Sequence, residues 1–422
     1  MAEIKVTVTD TQVKCLEYAA YSVQDWCDNA IHNRARIAQD EIIAKLVEHC
    51  NANEITLAVG TDAQVAQAYE LKVDAIKDRG DGNTATINGQ TPTASNMMGR
   101  NIIINGAMQV AQRGTSTSSV SSGSSNFPVD RTRVQLSNGG TWTISQSSTV
   151  PSGKGFSNSI KLDCTTADSS LGASDYLMLQ QIVEGQNVQQ FAWGSSDANS
   201  LTVSFWIRSN KTGTYSLEIQ HQNSSNAFYH TSKTFTISVA DTWEHKTVTY
   251  AGNTAQNIIN TNAAGIYVTF WLASGTTYSG GTFSDGTWNQ TSGTRVSSSN
   301  VNLADNTSNE LYLTGLQVEL GAVASPFEFE SYSTTLAKCE RYYQNYVTNK
   351  LYFNGTNEPS SEVGNSRILP TQMRTLPTIG NKSSSHGSVG AYSANAQSIR
   401  YLTVSSHGSG GFNIGLDLDA EI

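Results

Sequence analysis

The chain has 422 residues, of which 38% are hydrophobic and only 14% charged, with a formal net charge of −9. Soluble domains usually carry about a quarter charged residues, so solubility here rests on Ser, Thr, Asn and Gly. The acidic balance excludes the basic face that a nucleic-acid backbone partner requires, and no apolar run approaches the roughly 20 residues of a membrane helix.

The opening "MAEIKVTVTD" has no apolar core and is not read as a signal peptide. Cys15, Cys27, Cys50, Cys164 and Cys339 form no C-x-x-C pair and are odd in number. They read as free thiols of a chain made in a reducing cytoplasm, where the N-x-[ST] matches at Asn223, Asn289 and Asn306 have no meaning. About a quarter of residues 1–80 are charged, against about an eighth of the rest, which marks a domain boundary. Between Gln12 and Cys50 there is neither Pro nor Gly. Leu16, Ala20, Val23, Cys27, Ala30 and Ile37 recur at helical spacings, interrupted by Arg34, and the apolar stripe then moves to Ile42, Ile43, Leu46, Val47 and Cys50. The spacing predicts a long helix with a heptad-like seam. "TDAQ" at Thr61–Gln64 predicts the start of a second helix, with Gly80 as its stop. Two helices bury little by themselves, so they are expected either to close a small intramolecular hairpin or to join copies of the chain or dock onto another protein.

Residues 81–100 read as a linker, and from Asn101 the apolar pattern changes to period two. "RVQLSNGGTWTISQ" predicts hairpin pieces turning at Asn138-Gly139. "LTVSFWIRSNKTGTYSLEI", "DTWEHKTVTYAG", "GIYVTFWLASG" and "NELYLTGLQVELG" predict further strands. The fold class expected is mainly β: an N-terminal helical segment, an antiparallel β-sandwich (jelly roll) over 101–335, and a small C-terminal β domain over 336–422 that begins with a helical connector from Leu336.

Two strands repeat one arrangement. Leu201, Val203, Phe205 and Ile207 share a face, leaving Trp206 and Arg208 on the other; Ile266, Val268, Phe270 and Leu272 share a face, leaving Tyr267 and Trp271 on the other. A flat ring among hydroxyls suits the C–H face of a sugar, and an Arg adds a charge-assisted donor. The same rings would serve equally as a second packing layer. Tyr278 and Trp288, in a Gly/Ser/Thr-rich stretch, are further ligand-contact candidates beside a turn-packing role. "LADNTSNE" offers Asp305, Asn306, Asn309 and Glu310, but without EF-hand spacing, and reads as an Asx turn. Asp130 beside Arg131 reads as a structural ion pair. No metal or other cofactor is expected. Catalysis finds little support: H-E-x-x-H and G-x-S-x-G are absent, and no carboxylate pair of the glycosidase kind can be nominated beyond the mere presence of Asp163, Asp168 and Glu184.

"NIIINGAMQVAQRGTS", "LTVSFWIRSNKTGTYSLEI", "ADTWEHKTVTY" and "NELYLTGLQVELGAVASPFEF", together with "PTQMRTLPTI" and "GFNIGLDLDAEI", resemble as an ordered set a module of bacteriophage tail fibres and other virion appendages, many from marine or cyanobacterial phages. The resemblance covers residues 101–422; residues 1–80 are similar only in style to virion anchors. It implies a galactose-binding-like jelly roll akin to carbohydrate-binding modules, a virion location, a host-surface glycan as partner and a homotrimer. In several such modules the last long strand carries an Asp that ligates a structural calcium; Thr314 and Gly315 stand there in this chain. The expected function is that of a tail fibre that docks to a tail or capsid protein through residues 1–80 and adheres without chemistry. A capsid fibre or decoration protein with the same outer module, a glycan depolymerase and a structural connector are the alternatives.

Overall fold

The computed structural model describes residues 23–52, 55–73, 99–123, 125–346, 351–355, 363–384, 389–394, 396–403 and 410–422. The chain divides into two compact units, Met1–Pro92 and Thr93–Ile422.

In the first unit, helix α1 (Val23–Ala52) is followed by α2 (Thr61–Val73). The displaced apolar stripe explains their contact: Leu46 and Cys50 bury against Ala68, with Ile42, Ile55 and Leu57 packed around them. Gln67 pins the intervening loop, accepting from the Ala58 amide at 2.7 Å and donating to the Thr56 carbonyl at 2.8 Å. The expected seam lies elsewhere on the chain. Leu16, Ala20 and Gly80 fall outside the described residues, Val23, Cys27 and Ala30 lie on α1, and Ile37 is 46% exposed.

The second unit is built on two six-stranded antiparallel sheets. The first runs β1 (Ser116–Val120), β4 (Thr141–Ser147), β5 (Ser159–Thr166), β12 (Glu310–Leu320), β7 (Leu201–Ser209), β10 (Glu244–Tyr250). The second runs β2 (Ser125–Val129), β3 (Thr132–Ser137), β6 (Tyr176–Glu184), β11 (Ala264–Ser274), β8 (Gly213–Gln222), β9 (Phe228–Ile237). Period-two alternation sends the aliphatic set of each strand into the shared core. Phe205 of β7 meets Phe270 of β11 and Phe235 of β9 edge to face, at 4.9 and 5.1 Å between ring centroids. Leu201, Val203, Ile207, Leu217, Ile219 and Val268 are buried in the same cluster.

Neighbouring strands in sequence often lie in opposite sheets. The expected hairpin at Asn138-Gly139 is not one: β3 belongs to the second sheet and β4 to the first, and the turn crosses between them. Asn138 (φ 47°) and Gly140 (φ 79°) supply the left-handed backbone of that crossing. A β carbon at Gly140 would stand 2.4 Å from the Thr166 carbonyl oxygen.

The leading segment of the sandwich lies beside the second half of β12. The Ile102 amide donates to the Val318 carbonyl at 3.0 Å, and Asn101 exchanges bonds with Val318 and Leu316. β12 breaks register between Thr314 and Gln317, with Gly315 at φ 62°. The acids that follow are clamps: Glu319 accepts from the amide and hydroxyl of Ser325, and Glu328 accepts from the amides of Gly99 and Asn101 at 2.8 Å each.

Between β11 and β12 a single helical turn, α3, spans Thr276–Ser279. Beyond the sandwich, helix α4 (Tyr332–Glu340) begins four residues before the expected Leu336, because Ser331 caps it through the Thr334 amide. A four-stranded sheet follows, in which β19 (Gly410–Asp419) pairs with β13 (Tyr343–Asn345) and β14 (Leu351–Gly355), and also with β16 (Thr378–Ser384). A three-stranded sheet is ordered β15 (Val363–Ile368), β18 (Ser398–Thr403), β17 (Val389–Ala394). Polar contacts tie this region to the sandwich. The fully buried Glu184 carboxylate accepts from Arg341 at 2.7 and 2.8 Å and from the Tyr342 hydroxyl at 2.6 Å. Asp130 and Arg131 do not pair as expected. Asp130 accepts from Gln112, and Arg131 reaches Glu421, because the left-handed backbone at Arg131 (φ 67°) turns consecutive side chains to different partners.

Candidate functional site

The rings singled out from the sequence fall on opposite outer faces of the sandwich. Trp206 and Arg208 project from β7 on the first sheet; Tyr267 and Trp271 project from β11 on the second. They do not form one site.

On the second sheet, the chain after β11 folds back over the sheet. Trp271 is fully buried there, its indole N–H donating to Glu218 at 2.8 Å. Arg295 forks onto the same carboxylate at 2.7 and 2.9 Å and lies 5.0 Å from the Trp271 ring centroid. Tyr278, from the single turn α3, closes the cluster at 5.0 Å between rings. Trp271 is therefore a second packing layer and presents no ring to solvent, with Tyr278 as part of its cover. Trp288 packs at 4.9 Å on Trp193 and 5.1 Å on His221, and its indole N–H donates to the Ala251 carbonyl at 3.1 Å. Burial holds the His221 imidazole down at about 4, so it is neutral at pH 7 and shares a hydrogen bond with Asn253. Tyr267 is half-buried and touches the exposed Phe228 ring at 6.1 Å.

The first sheet's outer face is organised differently. Trp206 is half-buried and bedded on the β12 bulge. A β carbon at Gly315 would stand 2.6 Å from Cζ of Phe156 and 3.2 Å from Cδ1 of Trp206, so glycine is what lets both rings settle there. The exposed His245 ring, directly opposite on β10, lies 5.1 Å from Trp206. The exposed Lys154 ammonium lies 5.5 Å from the Trp206 ring centroid. It is carried by a short loop whose flanking Gly153 and Gly155 take φ of 70° and 82°. Phe156, Phe327 and Phe329 form a triad with centroids 4.9–5.1 Å apart, of which Phe329 is 50% exposed.

Arg208, expected as a donor, is engaged: it pairs with Asp241 at 3.0 Å and lies 5.0 Å from the Tyr312 ring. Lys161 bridges Asp163 and Glu310 at 3.1 and 2.9 Å. Hydrogen bonds from Lys161 and Tyr312 hold the Glu310 carboxyl below its usual range against the opposing pull of burial. What remains is a partly open indole flanked by a cation and an imidazole. The sequence reading missed Lys154, His245 and the Phe triad, which come from loops and a neighbouring strand; the Gly-Lys-Gly signature at 153–155 was the one local signal.

Among the described residues, no group of three or more His, Cys, Asp or Glu side chains is arranged to hold a metal. Asp305, Asn306 and Asn309 form the expected turn: Asn306 accepts from the Ser308 amide and Asn309 donates to Asp305, each at 2.8 Å. Of the acids named as weak catalytic candidates, Glu184 is tied to Arg341, Asp163 pairs with Lys161, and Asp168 accepts from the Ser170 amide.

No family model matches this chain, and no curated protein matches it. Among solved structures it is similar to the enzymatically active domain of tailspike protein 4 of bacteriophage CBA120, with 12% identity and a TM-score of 0.28. That match covers 52% of this chain and only 21% of the tailspike chain. The C-terminal family 22 carbohydrate-binding module of Clostridium thermocellum Xyn10B matches with 12% identity over 46% of this chain and 84% of its own, at a TM-score of 0.25. A family 22 xylan-binding domain matches with 14% identity over 50% and 98%, at a TM-score of 0.27.

Proposed function

We propose that this chain is an adhesion component of a phage virion, most simply a tail fibre, and that its sandwich contacts host-surface glycan through the Trp206 face of the first sheet. The virion part rests on the ordered segments over 101–422 that resemble the appendage module. The glycan part rests on one observation: of the two tryptophans on matching strand positions, Trp206 keeps an accessible ring with Lys154 and His245 beside it, whereas Trp271 is sealed. A half-open indole offers its apolar face to sugar C–H groups, and the ammonium and imidazole serve hydroxyls.

In this reading residues 1–80 anchor the chain to a tail or capsid protein and gather three copies, 81–100 link, 101–335 bind, and 336–422 extend the outer surface. Ile31 and Ile37, exposed at 50% and 46% on α1, support association of copies. Gathering copies has a purpose: a site with millimolar Kd is worth only about 4 kcal/mol, and linking sites raises apparent affinity by about 10² to 10⁴.

The test is a glycan array and affinity electrophoresis with the full chain and its Trp206→Ala variant. Binding that falls at least tenfold in a variant with an unchanged melting temperature is the expected result. A blank array together with no adsorption of the chain to host cells would displace adhesion in favour of a structural connector. Labelling of intact particles would separate a tail fibre from a capsid decoration.

A further inference from the structure

We infer that the Trp206 face selects acidic saccharides, with Lys154 as the residue that takes the sugar's carboxylate or sulfate. This rests on the reading of Trp206 as the sugar platform and adds the ligand's charge to it.

The neighbouring cations are spent: Arg208 on Asp241 at 3.0 Å, and Lys161 on Asp163 and Glu310 at 3.1 and 2.9 Å. Lys154 is exposed and, among the described residues, makes no ion pair; its partner is the Trp206 ring. In a chain with net charge −9, an ammonium left without a carboxylate and held against an aromatic ring departs from the paired Arg208 and Lys161 on the same face.

Geometry gives the departure a use. The ammonium lies 5.5 Å from the ring centroid, so a pyranose stacked on that ring brings its ring substituents within reach of Nζ. The His245 ring stands 5.1 Å from the same indole and supplies a second polar group without negative charge. A pyranose that takes the open ring face moves the ammonium from above the ring to its edge, where the apolar body of the sugar excludes water and strengthens an ion pair with Nζ. Lys154 also sits between two glycines in left-handed backbone, Gly153 and Gly155, which allow the tight loop that presents it.

The experiment uses the full chain in affinity electrophoresis and calorimetry. The probes are polygalacturonate and its carboxyl-reduced form, a sulfated galactan and its desulfated form, and a neutral glucan. The expected result is a preference of about two- to fivefold for the charged member of at least one pair, the worth of one exposed ion pair. It should weaken as salt rises towards about 0.5 M. Lys154→Gln should erase that preference, bringing charged and neutral members to the same affinity with the melting temperature unchanged, and Lys154→Arg should keep it. A preference confined to one pair identifies the anion as carboxylate or sulfate. Equal binding of charged and neutral members, or a preference that survives Lys154→Gln, overturns the inference. If Trp206→Ala abolishes that equal binding, the platform stands and only the charge selection falls. If no probe binds, or Trp206→Ala changes nothing, platform and inference fall together.

Discussion

Arg341 and Glu184 meet as a forked ion pair, the guanidinium of the residue after α4 donating at 2.7 and 2.8 Å to a carboxylate at the end of β6 that has no exposed surface. The Tyr342 hydroxyl adds a third bond at 2.6 Å. Breaking a buried pair strands a charge and costs about 3–5 kcal/mol, so Arg341→Met should lower the chemical-denaturation midpoint strongly. Glu184→Gln paired with Arg341→Met should recover much of the loss, since no charge is then left alone. A double variant no more stable than Arg341→Met would remove this account of the junction.

The same pair sets an acid limit. Burial pushes the Glu184 carboxyl up, but the bonds from Arg341 and Tyr342 more than offset it and hold it below its ordinary value. A depressed carboxylate contributes stability that is present above the unfolded-state value, about 4.3, and is lost as pH falls through the folded one. Asp130, raised chiefly by burial, acts with the opposite sign. Melting curves between about pH 3 and pH 7 should show the junction weakening below about pH 4. Glu184→Gln should flatten that slope, and an unchanged acid limb in the variant would refute the assignment.

Phe205 carries the centre of the sandwich, touching Phe235 and Phe270 from the opposite sheet. Phe205→Ala should cost about 3–5 kcal/mol, as truncation of a large core ring does. Urea denaturation measures it, and a loss below about 1 kcal/mol would mean that the two sheets do not lock through this contact.

Gly315 couples the bulge to the candidate site. Gly315→Ala puts a β carbon against Phe156 and Trp206 at a left-handed φ of 62°. It should destabilise the chain by about 1–3 kcal/mol and alter Trp206 emission, read by comparison with Trp206→Phe. Unchanged emission would show that the indole does not rest on this glycine.

Trp271 and Trp206 should separate stability from binding. Trp271→Phe deletes the bond to Glu218 at a fully buried site and should cost about 1–3 kcal/mol with glycan binding intact. Trp206→Ala should do the reverse. Equal effects of both variants on binding would make the outer tryptophans structural alike.

Much of the fold was legible because its signals are local. Alternation of apolar residues in "LTVSFWI" and "GIYVTFWLA" announces a strand buried on one face whatever it pairs with, and the two faces assigned to those strands are the ones observed. The turn at Asn138-Gly139 was legible only as a turn. Whether it closes a hairpin or crosses between sheets depends on which strands β4 pairs with, and those partners, β1 and β5, lie on either side of the β3–β4 stretch in sequence.

Composition, helical spacing up to Cys50 and period two after Asn101 by themselves determined a hydroxyl-rich β scaffold preceded by helices, since these periodicities need no knowledge of neighbours. Only the tertiary structure decided which tryptophan is open. Trp206 and Trp271 sit in the same strand pattern, and their fates diverge because Arg295 fastens a returning loop to Glu218 over one of them, while a bulge at Gly315 beds the other beside Lys154. Those contacts join residues far apart in sequence, so no window along the chain contains them.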